Sequence, residues 1–265
     1  MEILGYFLAL IIGVSLGLIG GGGSILSVPV LAYIFNFDEK IATAYSLFVV
    51  GIGALVGGIQ KHFQKLVEWK TAIIFGIPSI LGVWVVRHYF IPLLPDVLFT
   101  ISSYPISRRM FMLGLFALLM FPAAWSMLKK ENIKKTTAKK VQYNYFLILL
   151  EGLVVGAITG FVGAGGGFLI IPALVVLAKL DMKIAVGTSL IIIAIKSLLG
   201  FFLGDALTMQ VDWGFLSFFS FFTFAGIFIG TYLGKFIDGT KLKKGFGYFI
   251  ILMAVFIFYM EFFVK

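Results

Sequence analysis

The sequence predicts an all-α polytopic membrane protein built from two inverted five-segment repeats. Three observations point there. Of 265 residues, 61% are apolar and 12% charged, where a soluble domain has about 45–50% and about 25%. Apolar stretches divide the chain into ten segments, and a membrane helix needs roughly 20 such residues. The first half also matches the second at a fixed offset of 143 without a gap.

The stretches run 3–19, 24–37, 41–59, 70–91 and 109–128, then 143–162, 168–180, 184–203, 213–235 and 245–264. The division is therefore 1–128 for the first repeat, 129–142 for a linker and 143–265 for the second repeat. The opening MEILGYFLALIIG lacks a basic n-region and runs on without a cleavage site. It reads as a first helix and not as a signal peptide. Stretches 24–37 and 168–180 are short, each rising only about 20 Å as helix against a core of about 30 Å. Each follows a glycine cluster, Gly20–Gly23 and Gly163–Gly167. The clusters are expected to break the first helical hairpin of each repeat within the membrane. Irregular backbone at that depth survives only where protein or a watery cavity covers it.

The composition excludes a soluble enzyme and a disordered tail, and the absence of cysteine excludes a disulfide-stapled module. The net charge of +9 reads as topological, with no nucleic acid partner, because Lys and Arg collect in cytoplasmic loops. With the Lys-rich loop 129–142 in the cytoplasm, 15 of the 21 basic residues fall on that side and five on the other. Lys196 alone stays inside a span. Both termini are expected on the outer face of an inner (plasma) membrane. Treating each glycine-broken pair as one crossing gives 10 against 10 and loses the bias.

The internal match aligns Gly13–Gly57 with Gly156–Gly200, with 17 identities in 45 positions. They include Gly20/Gly163, Gly22/Gly165, Gly23/Gly166, Pro29/Pro172, Asp38/Asp181, Lys40/Lys183 and Ser46/Ser189. Val67-Glu68-Trp69 matches Val211-Asp212-Trp213 at offset 144. Five segments per copy is odd, so the second copy enters from the opposite side. Inverted repeats with helices broken at matching places are a signature of secondary transporters.

The copies GLIGGGGSILSVPVL and GFVGAGGGFLIIPALVV are each followed by A-x-x-x-S-L, at Ala42–Leu47 and Ala185–Leu190. In these motifs the chain resembles the TauE/SafE sulfite exporter family, also called the toluene-sulfonate uptake permease superfamily. The resemblance covers nearly the whole chain. It implies a transporter of sulfite, sulfonates or related anions, and leaves the anion and the direction open.

Two short helices begin near Ser24 and near Gly167. A helix N-terminus carries about half a positive charge and unpaired N–H groups, which suits an anion. Gly22, Gly23, Ser24, Gly165, Gly166 and Gly167 are therefore candidate substrate-binding residues; close helix packing is the competing role of the glycines. Asp38 and Asp181 read as helix caps. Ser46, Thr188 and Ser189 lie about two turns further in and could donate hydrogen bonds to an anion, or bond their own helix. Lys196 is the sharpest candidate, because an intramembrane lysine is costly and its repeat counterpart is Gly53. Glu151, the one carboxylate deep in a span, is its expected ion-pair partner and the candidate for proton coupling. Arg87 and His88 read as interfacial anchors.

No cofactor motif and no metal-ligand spacing occurs. A Rossmann fingerprint would need glycine where Ile25 and Phe168 stand. The reading is a non-enzymatic secondary carrier in a lipid bilayer, exporting a small anion such as sulfite or an organosulfonate from a site between the glycine-turn helices. Homo-oligomers are compatible with it. The alternative is a passive anion channel, or an importer of sulfate, thiosulfate or a carboxylate.

Overall fold

The computed structural model describes residues 2–95, 97–101, 104–129, 145–162, 166–176 and 178–264. Most of the linker 129–142 and Gly163–Gly165 lie outside the described residues. Ten principal helices appear among the described residues. The first five are α1 Glu2–Ile19, α2 Gly22–Pro29, α3 Glu39–Phe63, α4 Trp69–Val85 and α5 Arg108–Leu128. The second five are α6 Tyr145–Val162, α7 Gly167–Val176, α8 Met182–Leu203, α9 Trp213–Leu233 and α10 Gly239–Tyr259. Turns of π-helix extend α2 to Ile34, α4 to Phe90 and α10 to Val264.

Helices α3, α4, α5, α8, α9 and α10 are long and apolar enough to cross a membrane. Helices α1, α2, α6 and α7 fall short of that length; for α2 and α7, with 8 and 10 residues, the short apolar stretches agree with this. The outer surface is apolar, with Leu118, Phe221 and Leu252 each more than 60% exposed. In water such a rind would be a liability, and in lipid it is a solvated surface. The core lies between helices around fully buried Phe75, Phe116, Phe168, Phe201, Phe219 and Phe246.

Helix starts follow local chemistry. Asp38 Oδ2 accepts from Lys40 N at 3.3 Å, Ser107 Oγ from Met110 N at 3.2 Å and Asp212 Oδ1 from Phe215 N at 2.9 Å. Each side chain satisfies a donor left over at its helix start. Asp181 occupies the cap position of α8, but its side chain makes no capping bond.

One expectation is corrected: the chain is not wholly helical. Between α4 and α5, β1 Val97–Ile101 pairs antiparallel with β2 Tyr104–Ser107. This segment, VLFTI and YPIS, is rich in β-branched and aromatic residues and too short to span as helix.

The helices pair as α1 with α9, α4 with α6, α3 with α8 and α5 with α10; α2 also meets α7. Glycine permits the closest pairs. On α1, Gly13 packs against Thr223 O and the Gly226 Cα of α9, and Gly17 packs against Ile227 O. On α6, Gly152 and Gly156 press on Phe75 O and Ser79 O of α4. Small residues one turn apart let two backbones touch, which is how membrane helices gain packing energy without a hydrophobic drive.

Candidate substrate site

The first glycine cluster ends α1 with Gly20 in the left-handed region, φ +78°, and α2 starts two residues later. The second cluster places Gly166 at φ +67° directly before α7. An L side chain is strained at both angles, which explains the glycines. These bends fall at different points of the aligned clusters, since Gly166 aligns with Gly23.

The two turns touch. A β-carbon on Gly21 would strike the Gly167 carbonyl, and one on Gly167 would come within 2.6 Å of the Gly21 Cα and 3.2 Å of Ser24 Oγ. Backbone meets backbone, with α2 and α7 starting from the contact. Gly22, Gly23 and Ser24 on one side and Gly166 and Gly167 on the other are all buried. Gly165 lies outside the described residues.

Polar side chains surround this contact. Ser24 Oγ donates to Gly21 O at 2.7 Å. Ser27 Oγ donates to Ser24 O at 3.2 Å and is also hydrogen-bonded to Ser46 Oγ. Ser189 Oγ donates to Val186 O at 2.9 Å, and a β-carbon on Gly20 would stand 2.8 Å from that hydroxyl. Ser46 and Ser189, the matched pair, thus both enter the cluster, and Ser27 joins Ser46 to it.

Lys196 is 2% exposed and donates from Nζ to Thr159 Oγ1 at 2.9 Å. A β-carbon on Gly166 would lie 3.1 Å from the same Nζ. The lysine therefore stands at the second glycine turn. Glu151 makes no ion pair with it, which corrects the expected pairing. Thr159 is eight residues past Glu151 on α6, about 12 Å further along the axis, and Lys196 reaches the threonine.

Thr188 is placed elsewhere. Its Oγ1 accepts from Glu68 N at 2.9 Å and holds the start of α4. Its counterpart at offset 143, Tyr45, accepts from Asp212 N at 2.8 Å and holds the start of α9. Arg87, expected as an interfacial anchor, forms an ion pair with Asp205, each side chain about 15% exposed. His88 stacks on Trp84 at 5.3 Å. Among the described residues no three His, Asp or Glu side chains gather as a metal site.

Sequence reasoning missed Thr159, Ser27 and Asp205. Thr159 carried a usable signal: it aligns with Leu16, so it departs from the repeat just as Lys196 does.

The arrangement can offer an anion two sets of helix-start N–H groups, several hydroxyls and one cation. Its described hydroxyls are shut away from solvent. Ser24, Ser27, Ser46 and Ser189 are 0% exposed, so a hydrated ion can enter only after the helices move.

A family model described as sulfite exporter TauE/SafE matches residues 6–257. A probable membrane transporter protein of Xylella fastidiosa strain Temecula1 is 29% identical over 256 residues, 93% of this chain and 91% of that protein. A second, from Methanocaldococcus jannaschii, is 32% identical over 195 residues, 72% and 67% of the two chains. A third, from Bacillus subtilis, is 28% identical over 212 residues, 73% and 74%. No solved structure gives a significant match.

Proposed function

The chain belongs to the sulfite exporter TauE/SafE family of membrane transporters, and we propose that it is a secondary carrier exporting a small anion, sulfite or an organosulfonate. The observation that carries this reading is the buried meeting of two glycine turns, Gly20–Gly21 and Gly166–Gly167, beside Lys196.

Each short helix presents its first N–H groups and the positive end of its dipole toward the contact. Ser24 and Ser189 can rotate their hydroxyls from backbone carbonyls to an anion. Lys196 can trade Thr159 for a charge-assisted bond, roughly twice as strong as a neutral one. Glu151, unpaired with the lysine, is the proposed proton-coupling group.

Because the turns touch, loading requires one half to swing from the other. The halves 1–128 and 143–265 are proposed as the rocking units. Two features support the symmetry of the halves. Exchanging each helix of the first five for its counterpart leaves the pairing pattern unchanged: α1–α9 becomes α6–α4, and α3–α8 and α5–α10 map onto themselves. Tyr45 and Thr188 repeat one helix-start bond in each half. The five-segment count then inverts one half in the bilayer. The charge count assigns the loop 129–142 to the cytoplasm and both termini to the outside.

Counterflow in proteoliposomes tests the carrier. Vesicles preloaded with sulfite should transiently concentrate labelled sulfite from outside, and the flux should saturate. Lys196→Gln should lower it about tenfold or more, the order expected when a charged hydrogen bond of about 1.5–3 kcal/mol is lost. Unsaturable flux without counterflow would establish the channel reading instead.

A further inference from the structure

The two ends of the bundle differ in charge at one matched position, Lys61 against Asp205. At one end α3 finishes and α8 begins. Lys61 lies two residues before the end of α3, Lys183 lies in the first turn of α8, and Lys235 follows α9 by two residues. Gly187, one turn past Lys183 on α8, packs against the Lys61 side chain, with the β-carbon positions 3.1 Å apart. Gly239, four residues past Lys235, approaches the Met182 side chain at 3.5 Å. The charges acting on Lys61 are those of Lys183 and Lys235, both cationic. None of the three lysines has an ion-pair partner among the described residues.

Lys61 is only 5% exposed. A buried ammonium without a carboxylate is expensive, and two further cations beside it add to the cost. An anion seated among the three would offset that cost. Lys235 is exposed, Lys183 half-buried and Lys61 buried, so the three form a staircase from water into the bundle. It points along α8 toward the candidate site. Ser189 lies six residues past Lys183, about 9 Å, and Lys196 thirteen residues past, about 20 Å.

The opposite end is built from the counterparts. Lys40 matches Lys183 at offset 143, and Asp205 matches Lys61 at offset 144. There Asp205 sits between cations, paired with Arg87 and within the field of Lys40. A carboxylate of the chain fills the place that stays unfilled at the lysine end.

We propose that Lys61, Lys183 and Lys235 form a second, peripheral oxyanion site, a vestibule on the face that the charge count assigns to the cytoplasm. Its ligand is a singly or doubly charged oxyanion, either the free transported ion or a phospholipid headgroup. Lysines without an ion pair at one end, against the Arg87–Asp205 pair at the other, bias loading toward the cytoplasmic side. This assignment rests on the carrier reading above and adds the side from which the anion is gathered.

Two ligand probes and a double variant test it. Purified full-length protein is titrated with sodium sulfate in a thermal-shift assay. It is also placed in phosphatidylcholine nanodiscs with and without phosphatidylglycerol. Both series use a Lys196→Gln background, so the central lysine does not contribute. Lys183→Gln with Lys235→Gln should raise the half-saturating sulfate about fivefold, the order expected when two partly exposed charges stop attracting an anion. Lys61→Gln should act in the same direction, and Arg87→Gln at the far end should leave the sulfate midpoint unchanged. A loss in the sulfate series identifies a free oxyanion; a loss only of the phosphatidylglycerol effect identifies a headgroup. Either supports the site. No stabilisation by either probe, or stabilisation that the double variant leaves intact, overturns it. Counterflow separates the two readings: counterflow with an unaffected vestibule titration removes only the vestibule. A lysine-dependent titration without counterflow removes only the carrier.

Discussion

Lys196 and Thr159 depart from the repeat together. Leu16 and Gly53 stand at the corresponding places in the first half, so one half supplies an ammonium and its acceptor where the other supplies only apolar surface. Thr159→Val should leave the ammonium buried without that acceptor and cost about 1–3 kcal/mol, read as a lowered melting temperature. Thr159→Ser should restore it. A valine variant as stable as the parent would show that the lysine has another resting place. The lysine was legible in the sequence because any charge in an apolar run stands out. Its partner was not. Sequence offers Glu151 as the natural counter-charge, but the packing of α6 sets which turn faces α8, and Thr159 is two turns away from the glutamate. Glu151→Gln should abolish any dependence of flux on a pH gradient while leaving counterflow intact; unchanged gradient dependence would remove the glutamate from coupling.

Helices α4 and α6 meet along Gly152 and Gly156, with carbonyls of α4 pressed against them. Gly156→Leu would place a side chain where backbone already lies, and overpacking typically costs about 1–3 kcal/mol or more. The expected outcome is poor folding yield in membranes, with Gly156→Ala intermediate. Just past the C-terminal ends of α4 and α8, Arg87 and Asp205 tie the two helices across 118 residues of chain. Asp205→Asn should cost about 1 kcal/mol, between an exposed and a buried pair, and should raise the rate at which a cysteine placed at Leu207 is labelled. Most helix limits were legible because apolar runs begin and end where charge appears. The β1–β2 hairpin was not, since a search for spans passes over anything too short to cross. The π turns were not either, since five residues hold too little periodicity to separate α from π.

The overall arrangement is a set of pairings that lie between the halves more than within them. Each half lends helices to the other: α1 lies on α9, and α6 lies on α4. The repeat itself could be read from Gly13–Gly57 against Gly156–Gly200. Which helices meet could not, because a lipid-facing residue and a helix-facing residue are equally apolar in a membrane chain. The chain has no cysteine, so single introduced cysteines can be mapped against a silent background. A cysteine in loop 129–142 should react with a membrane-impermeant maleimide only from the cytoplasmic side, and one at either terminus only from outside. Labelling of both from the same side would contradict five crossings per half.

The contact between Gly21 and Gly167 bears on leakage. In the proposed carrier, this backbone contact is the barrier between the two faces. Neither turn can shift without the other losing its neighbour, so in that reading the two work as one valve. Planar bilayers holding many copies should stay electrically quiet under an imposed voltage. Larger residues at Gly21, which force the seal apart, should make them conduct.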